Sequence, residues 1–172
     1  SSTGTAAAGF GYSQLIKLEN GSGSQVNALR TKTTWTTVTA GSESSKYEIM
    51  TNTAGAGLAT AFTVDASQIY GTVQAKGSVS GSFTVDFSAG NWVTMTAAGN
   101  FSTVTFSNIK SGGRYVLKIT QDGTGGRTWT PGTSFKYPGG VSGNILTTTA
   151  GAVDVFICDA FDTTNIWCNG LF

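Results

Sequence analysis

Apolar residues in this chain recur at every second position in short runs, and Gly, Ser, Asn or Asp breaks those runs roughly every eight to twelve residues. No window sets apolar side chains at i, i+3, i+4 and i+7 with charges opposite. Thr and Gly, both poor helix residues, are abundant throughout. The pattern predicts an all-β chain. Its clearest strand is Arg114–Gln121, with Tyr115, Leu117 and Ile119 on one face and Val116, Lys118 and Thr120 on the other. Asp122-Gly123 follows as a turn signal. Ser82–Phe87 sets Phe83, Val85 and Phe87 on one face, and Phe101–Ile109 does the same with Val104 and Phe106. Ala152–Ala160 is apolar on both sides and predicts a strand buried on both faces. Its exception, Asp154, needs a partner or an edge position.

The first half has a different texture. An apolar strand follows Gly9-Phe10-Gly11, and Leu29–Ala40 is a Thr-rich strand around Trp35. A turn with Gly41 and Glu43 leads to Lys46–Thr51, and a turn with Gly55 and Gly57 leads to Leu58–Asp65. Tyr47, Ile49, Leu58, Phe62 and Val64 are a small stock for a core. Burial stabilises by about 25 cal/mol per Å², so a module this lean is marginal alone. Partner copies would supply what it lacks, and three-fold closure is one solution. The boundary is placed near Ala75-Lys76-Gly77. Residues 1–75 form a thin β-hairpin module, and residues 76–172 a fuller β-sandwich module holding three of the four Trp and both Cys.

Composition narrows the function classes. Charged residues are 11% of the 172 and the net charge is +1, against about 25% charged in an average soluble domain. Thr, Ser, Asn and Gly must therefore wet the surface, as in extracellular or particle-bound β proteins. No basic stripe is present for neutralising phosphates, so nucleic acid is not an expected partner. No apolar stretch is long enough for a membrane-spanning helix, and membrane insertion is not expected. Histidine is absent, which removes the commonest general base, the commonest zinc ligand and the Ser-His and Cys-His nucleophile systems. No cofactor, metal or catalytic residue is expected.

Cys158 and Cys168 lie in a segment that reads as a hairpin with its turn near Thr163, facing one another across the ladder. A disulfide requires the Cβ atoms to approach to about 4 Å. With no export signal in the sequence, the reading taken is two small buried thiols.

Several stretches, taken in order, resemble a module of bacteriophage tail fibres. They are residues 4–11 (GTAAAGFG), an apolar strand, Leu18-Glu19-Asn20, Arg30 and a Thr-rich strand, Ala40–Glu43, Tyr47–Met50, Gly57-Leu58 and Phe62–Asp65. The family's last strand usually carries an Arg, which is missing from Ala61–Val64, and Ser67–Gly71 only loosely matches its Gly-Ile-Gly continuation. Residues 110–129 (KSGGRYVLKITQDGTGGRTW), with Phe135–Gly140 and Val153–Phe156 behind them, are similar to a segment near the ends of phage fibre and other virion proteins. Family members often have Trp where Tyr137 stands. The two resemblances span about residues 4–71 and 81–172. They imply a homotrimeric, non-enzymatic fibre part, continuous with upstream fibre or virion proteins, assembled in the host cytoplasm and carried on the virion. Its distal end would touch a host-surface glycan or outer-membrane receptor. The opening stretch then reads as the start of a fibre module. Leu15, Ile16 and Leu18 are expected in β structure against neighbouring chains, with disorder confined to the first few residues.

The candidate sites divide by chemistry. Gly4–Gly11 lacks the preceding strand and following helix of a phosphate loop and reads as a turn where chains approach. Asp154, Asp159 and Asp162, with Asn165, lack the spacing of a calcium loop and read as turn chemistry. Nothing brings Glu43 and Glu48, or Asp65 and Asp86, together as the carboxylate pair of a glycosidase. Trp92, Trp129, Tyr137 and Trp167 sit in or beside predicted loops and strand ends, where flat rings stack on sugar faces or close a core or an interface. The long Gly-rich loop from Asp122 to Gly140 is the best receptor-facing candidate, through Arg127, Trp129, Lys136 and Tyr137. The expected function is host attachment by the distal part of a tail fibre. The alternatives are a capsid-bound fibre or decoration protein, a bacterial surface lectin or carbohydrate-binding module, and a depolymerase.

Overall fold

The computed structural model describes residues 7–52, 57–65, 68–140, 143 and 145–171. The expectation of disorder in the first few residues, and the expected turn at Gly55, lie outside the described residues. Among them the chain is all β, with no α-helix and one 3-10 turn at Phe87–Ala89. It divides into two compact units between Thr72 and Val73.

The first unit is one antiparallel sheet in the order β1-β2-β3-β4-β5. Its strands are β1 Gly11–Glu19, β2 Gln25–Thr37, β3 Ser44–Asn52, β4 Leu58–Asp65 and β5 Gln68–Tyr70. Turn chemistry sets its corners. Asn20 Oδ1 accepts from the amides of Ser22 and Ser24, each at 3.0 Å, closing the β1–β2 turn. Glu43 Oε2 accepts the Gly41 amide at 3.1 Å in the β2–β3 turn. Register partners share a face. One row across all five strands is Tyr12, Thr33, Tyr47, Val64 and Ile69. On the same face the next rows are Gln14-Thr31-Ile49-Phe62 and Ile16-Leu29-Thr51-Ala59. The other face carries Ser13, Lys32, Glu48, Thr63 and Tyr70 in one row and Thr34, Lys46, Asp65 and Gln68 in the next, with a Lys46–Glu48 ion pair at 3.2 Å.

The second unit is one six-stranded sheet, curled into a half-barrel, in the order β6-β7-β8-β10-β11-β9. The strands are β6 Val73–Asp86, β7 Trp92–Ser107, β8 Arg114–Gln121, β9 Phe135–Lys136, β10 Val153–Asp159 and β11 Ile166–Leu171. Where two stacked sheets were expected, a single sheet turns over on itself. The reason lies in β6 and β7, which run parallel although only residues 87–91 join them. Parallel neighbours ordinarily need a crossover of a dozen residues or more. An extended run from Gln74 to Asp86 would cover about 40 Å, yet Gln74 Nε2 donates to the Asp86 carbonyl at 2.9 Å. Strand β6 therefore doubles back and returns its end to its start. Gly81 makes the bend, at φ 63°, a region that L side chains rarely enter, with bulges on either side of it. Strand β7 follows it past Gly99, where a Cβ would lie 2.8 Å from that of Ser80.

The bend carries Phe83, Val85, Phe101 and Val104 over the inner face of the rest of the sheet, where Val93, Met95, Tyr115, Leu117, Ile119, Phe156 and Ile166 point. Among the described residues, every buried hydrophobic side chain lies between Val85 and Cys168, in this unit. Strand β10 corrects one expectation. It is not buried on both faces: Asp154, Phe156 and Cys158 face inward, while Val153 and Ile157 are exposed because nothing in the unit covers the outer face. Asp154 is fully buried in this central strand, where its Oδ2 accepts the Thr147 amide at 2.9 Å. The cysteine reading is also corrected. Cys158 and Cys168 are joined by a disulfide, because the β10–β11 register sets them directly opposite with 4.0 Å between Cα atoms.

Candidate functional site

The loop after β8 is tied inward by its own polar residues. Gln121 is buried, and its side-chain amide brackets Arg127, donating to the Arg127 carbonyl at 2.9 Å and accepting the Arg127 amide at 3.0 Å. Asp122 Oδ1 accepts the amides of Thr124 and Gly125 at 3.1 and 2.9 Å. Its Oδ2 takes Arg127 Nε and Nη2 at 3.1 and 2.8 Å. The Arg127 guanidinium is the main reason the Asp122 carboxyl is held below its ordinary range. Gly125, at φ 69°, closes on the chain near Ala150, whose amide nitrogen would be 2.6 Å from an added Cβ. The QDGTGGR sequence is therefore a folding device.

Two of the four predicted receptor residues are engaged inside the fold. Arg127 is spent on Asp122. Trp129 is 2% exposed and stands among Phe101, Phe135 and Phe156, with ring centroids 6.1, 5.0 and 6.0 Å away. Its ring fills the core and does not face solvent. Lys136 is exposed, and Tyr137 is half-buried against Phe135 and Phe156.

Lys136 and Tyr137 meet residues from elsewhere in the chain. They line, with Pro138, Asp159, Phe161, Trp167, Cys168 and Asn169, an open groove of about 330 Å³, toward the small end of ligand pockets. The β-ladder builds its floor. Arg114 in β8, Asp159 in β10, Trp167 in β11 and Lys136 in β9 are successive register partners and form one row on the outer face. Phe161 rises from the β10–β11 loop, 74% exposed, with its ring edge-on to Trp167 at 5.2 Å. Asp162 holds that loop. Its Oδ1 accepts the amides of Thr164 and Asn165, both at 2.7 Å, and its Oδ2 accepts Asn165 Nδ2 at 2.9 Å. These bonds, with the Asn165 side chain first, lower the Asp162 carboxyl to about 2.

Charge in the groove is uneven. Arg114 grips Asp159 through Nε and Nη2 at 2.8 and 3.0 Å and holds that carboxyl below its ordinary range. The Lys136 side chain makes no ion pair or hydrogen bond among the described residues. Asp154, Asp159 and Asp162 are each engaged by protein donors and do not converge. No group of three metal-ligating side chains occurs among the described residues. The groove thus holds two adjacent rings, Phe161 and Trp167, one side-chain amide, one carboxylate paired with Arg114 and one ammonium group without an ion pair among the described residues.

Sequence reasoning named Lys136, Tyr137 and Trp167 but missed that Phe161 and Asp159 stand beside them. An unpaired Phe inside a polar turn, FDTTN, was the available signal for Phe161. Trp92 lies elsewhere on the outer face, in a row with Val73, Val116 and Ile157. No family model, curated protein or solved structure matches this chain.

Proposed function

We propose that this chain is a non-enzymatic virion protein, the distal part of a phage tail fibre, which assembles as a homotrimer and attaches to a host-surface glycan. The observation that carries the reading is the first sheet. It is a single layer, among its described residues no hydrophobic side chain is buried, and one of its two faces is largely apolar. Tyr12 is 74% and Ile69 66% exposed at the two ends of one row. Isolated sheets of this kind need a hydrophobic face covered to be stable, and a second and third copy present a complementary face at no further genetic cost. The expected position of Leu15, Ile16 and Leu18 in a strand fits this reading, since β1 is exposed along its whole length. The groove of Lys136, Tyr137, Phe161 and Trp167 supplies a surface for sugar rings, and three copies raise avidity when each site is weak. In this setting the Cys158–Cys168 bond closes after release from the reducing cytoplasm. Light scattering of the purified chain at micromolar concentration tests the reading. A mass of three copies is expected, and a monomer overturns it.

One observation favours a second reading. A disulfide suits proteins that mature in an oxidising compartment, as a bacterial surface lectin or carbohydrate-binding module would. That reading expects a monomer with saturable sugar binding.

A further inference from the structure

The geometry points to an acidic sugar, carrying a carboxylate on or beside the ring, as the preferred ligand of the outer-face groove. The inference rests on the proposal that this groove binds glycan, and adds the class of sugar. The row Arg114-Asp159-Trp167-Lys136 holds two cations and one anion. Arg114 and Asp159 satisfy each other through two hydrogen bonds, so neither has a strong charge to offer. Lys136 is next to Trp167 in the register, exposed and unpaired among the described residues. A sugar stacked on Trp167, against the edge of Phe161, would therefore lie with its rim toward one ammonium group. A neutral sugar leaves that charge to water. A carboxylate there gains a charge-assisted hydrogen bond beside the Trp167 and Phe161 rings. The pairing of Asp159 with Arg114 also offsets the like-charge repulsion that a free carboxylate would exert on such a ligand. The flat aromatic floor favours a ring over an extended acidic peptide.

The test compares two oligosaccharides of equal length, an oligogalacturonate and the corresponding neutral oligogalactose, binding to the full chain on a surface that presents many copies of each. The uronide is expected to bind about tenfold more tightly, a difference of about 1.4 kcal/mol, and to lose that lead as salt rises. Lys136→Gln should erase the preference by bringing uronide binding down to the level of the neutral sugar, while Lys136→Arg restores it. Lys17→Gln, which removes a charge from the first sheet, should change nothing. Equal binding of the two sugars, or a preference that survives Lys136→Gln, overturns the acidic assignment while leaving the glycan groove standing, provided that Trp167→Ala still weakens both. An oligoglutamate that competes as well as the uronide overturns it in favour of an acidic peptide. If neither sugar binds, or Trp167→Ala and the milder Trp167→Phe change neither, the groove reading and the acidic assignment fail together.

Discussion

The two sheets use the same materials and reach opposite ends. Both are rich in Thr, Ser and Gly, and both alternate apolar with polar residues along their strands. The first is a five-stranded antiparallel sheet, and among its described residues no hydrophobic side chain is buried. The second is bent at Gly81 and past Gly99, so that its own far half supplies the opposing layer. The second sheet's burial follows from this bend as well as from its hydrophobic content. Tyr47, Ile49, Phe62 and Val64 would make a creditable core if the first sheet folded over. A sheet that curls can cover its own hydrophobic face, whereas a single uncovered layer is marginal by itself.

The comparison is most easily broken by dilution. Amide exchange in the full chain should show β2–β4 losing protection by orders of magnitude between high and low micromolar protein, with β8 and β10 unchanged. Concentration-independent protection of β2–β4 would mean the first sheet stands alone. Next in size, Trp129→Ala should cost the second unit about 3–5 kcal/mol in denaturant unfolding at any protein concentration. Tyr47→Asp should leave that transition within about 0.5 kcal/mol and instead lower the association measured by light scattering. Removing the cross-strand link by Cys158→Ala with Cys168→Ala should cost about 2–3 kcal/mol, read as a loss that reducing agent reproduces in the parent chain. Gln121→Ala strands both backbone groups of Arg127 and should cost about 1–3 kcal/mol. The smallest effect is a titration. Because the Asp162 carboxyl is lowered to about 2 in the folded chain, its contribution is complete above the ordinary carboxylate range and is lost as pH falls through about 2. The Phe161 and Trp167 ring signals in NMR should hold down to about pH 3 and shift below it, and Asp162→Asn should abolish that titration.

Local patterns were legible wherever one strand carried its own signal. Arg114–Gln121 and Leu58–Asp65 occupy the residues that alternation marks out, and the hairpin centred near Thr163 sets Cys158 opposite Cys168. Two halves of strands went unread. Val73–Ser80 is rich in Gly, Ser and Lys and looks like a linker, because β6 buries little there. Trp92–Gly99 joins Phe101–Ser107 as one strand only because both follow the bend. That bend has no periodic signature, and two glycines among 24 do not announce it. The site was half legible for the same reason. Rings and charges in the Asp122–Gly140 loop drew attention, but the sequence does not say which of them point inward. Gln121 and Asp122 turn Arg127 back into the loop, the core takes Trp129, and Lys136 and Tyr137 remain. Asp159 reaches them through ladder pairing and Phe161 through its ring contact with Trp167, relations between distant segments that no single stretch encodes.

The doubling-back of β6 has a consequence for how quickly the second unit closes. Parallel sheets are ordinarily slow to form, since their partners are far apart in sequence and the loop must be ordered before any contact repays it. Here Val73 meets Trp92 and Asp86 meets Ser107, each only about twenty residues along the chain, a hairpin-like distance reached without antiparallel pairing. The β6–β7 pair is therefore expected to form early, as a local pairing with parallel geometry. Strand β8 is expected to add next to it, and β10, which must wait for the long 122–152 excursion, to follow before β11 and β9 complete the sheet. Replacing Gly81 by a residue that resists positive φ would slow the earliest step of folding more than it speeds unfolding.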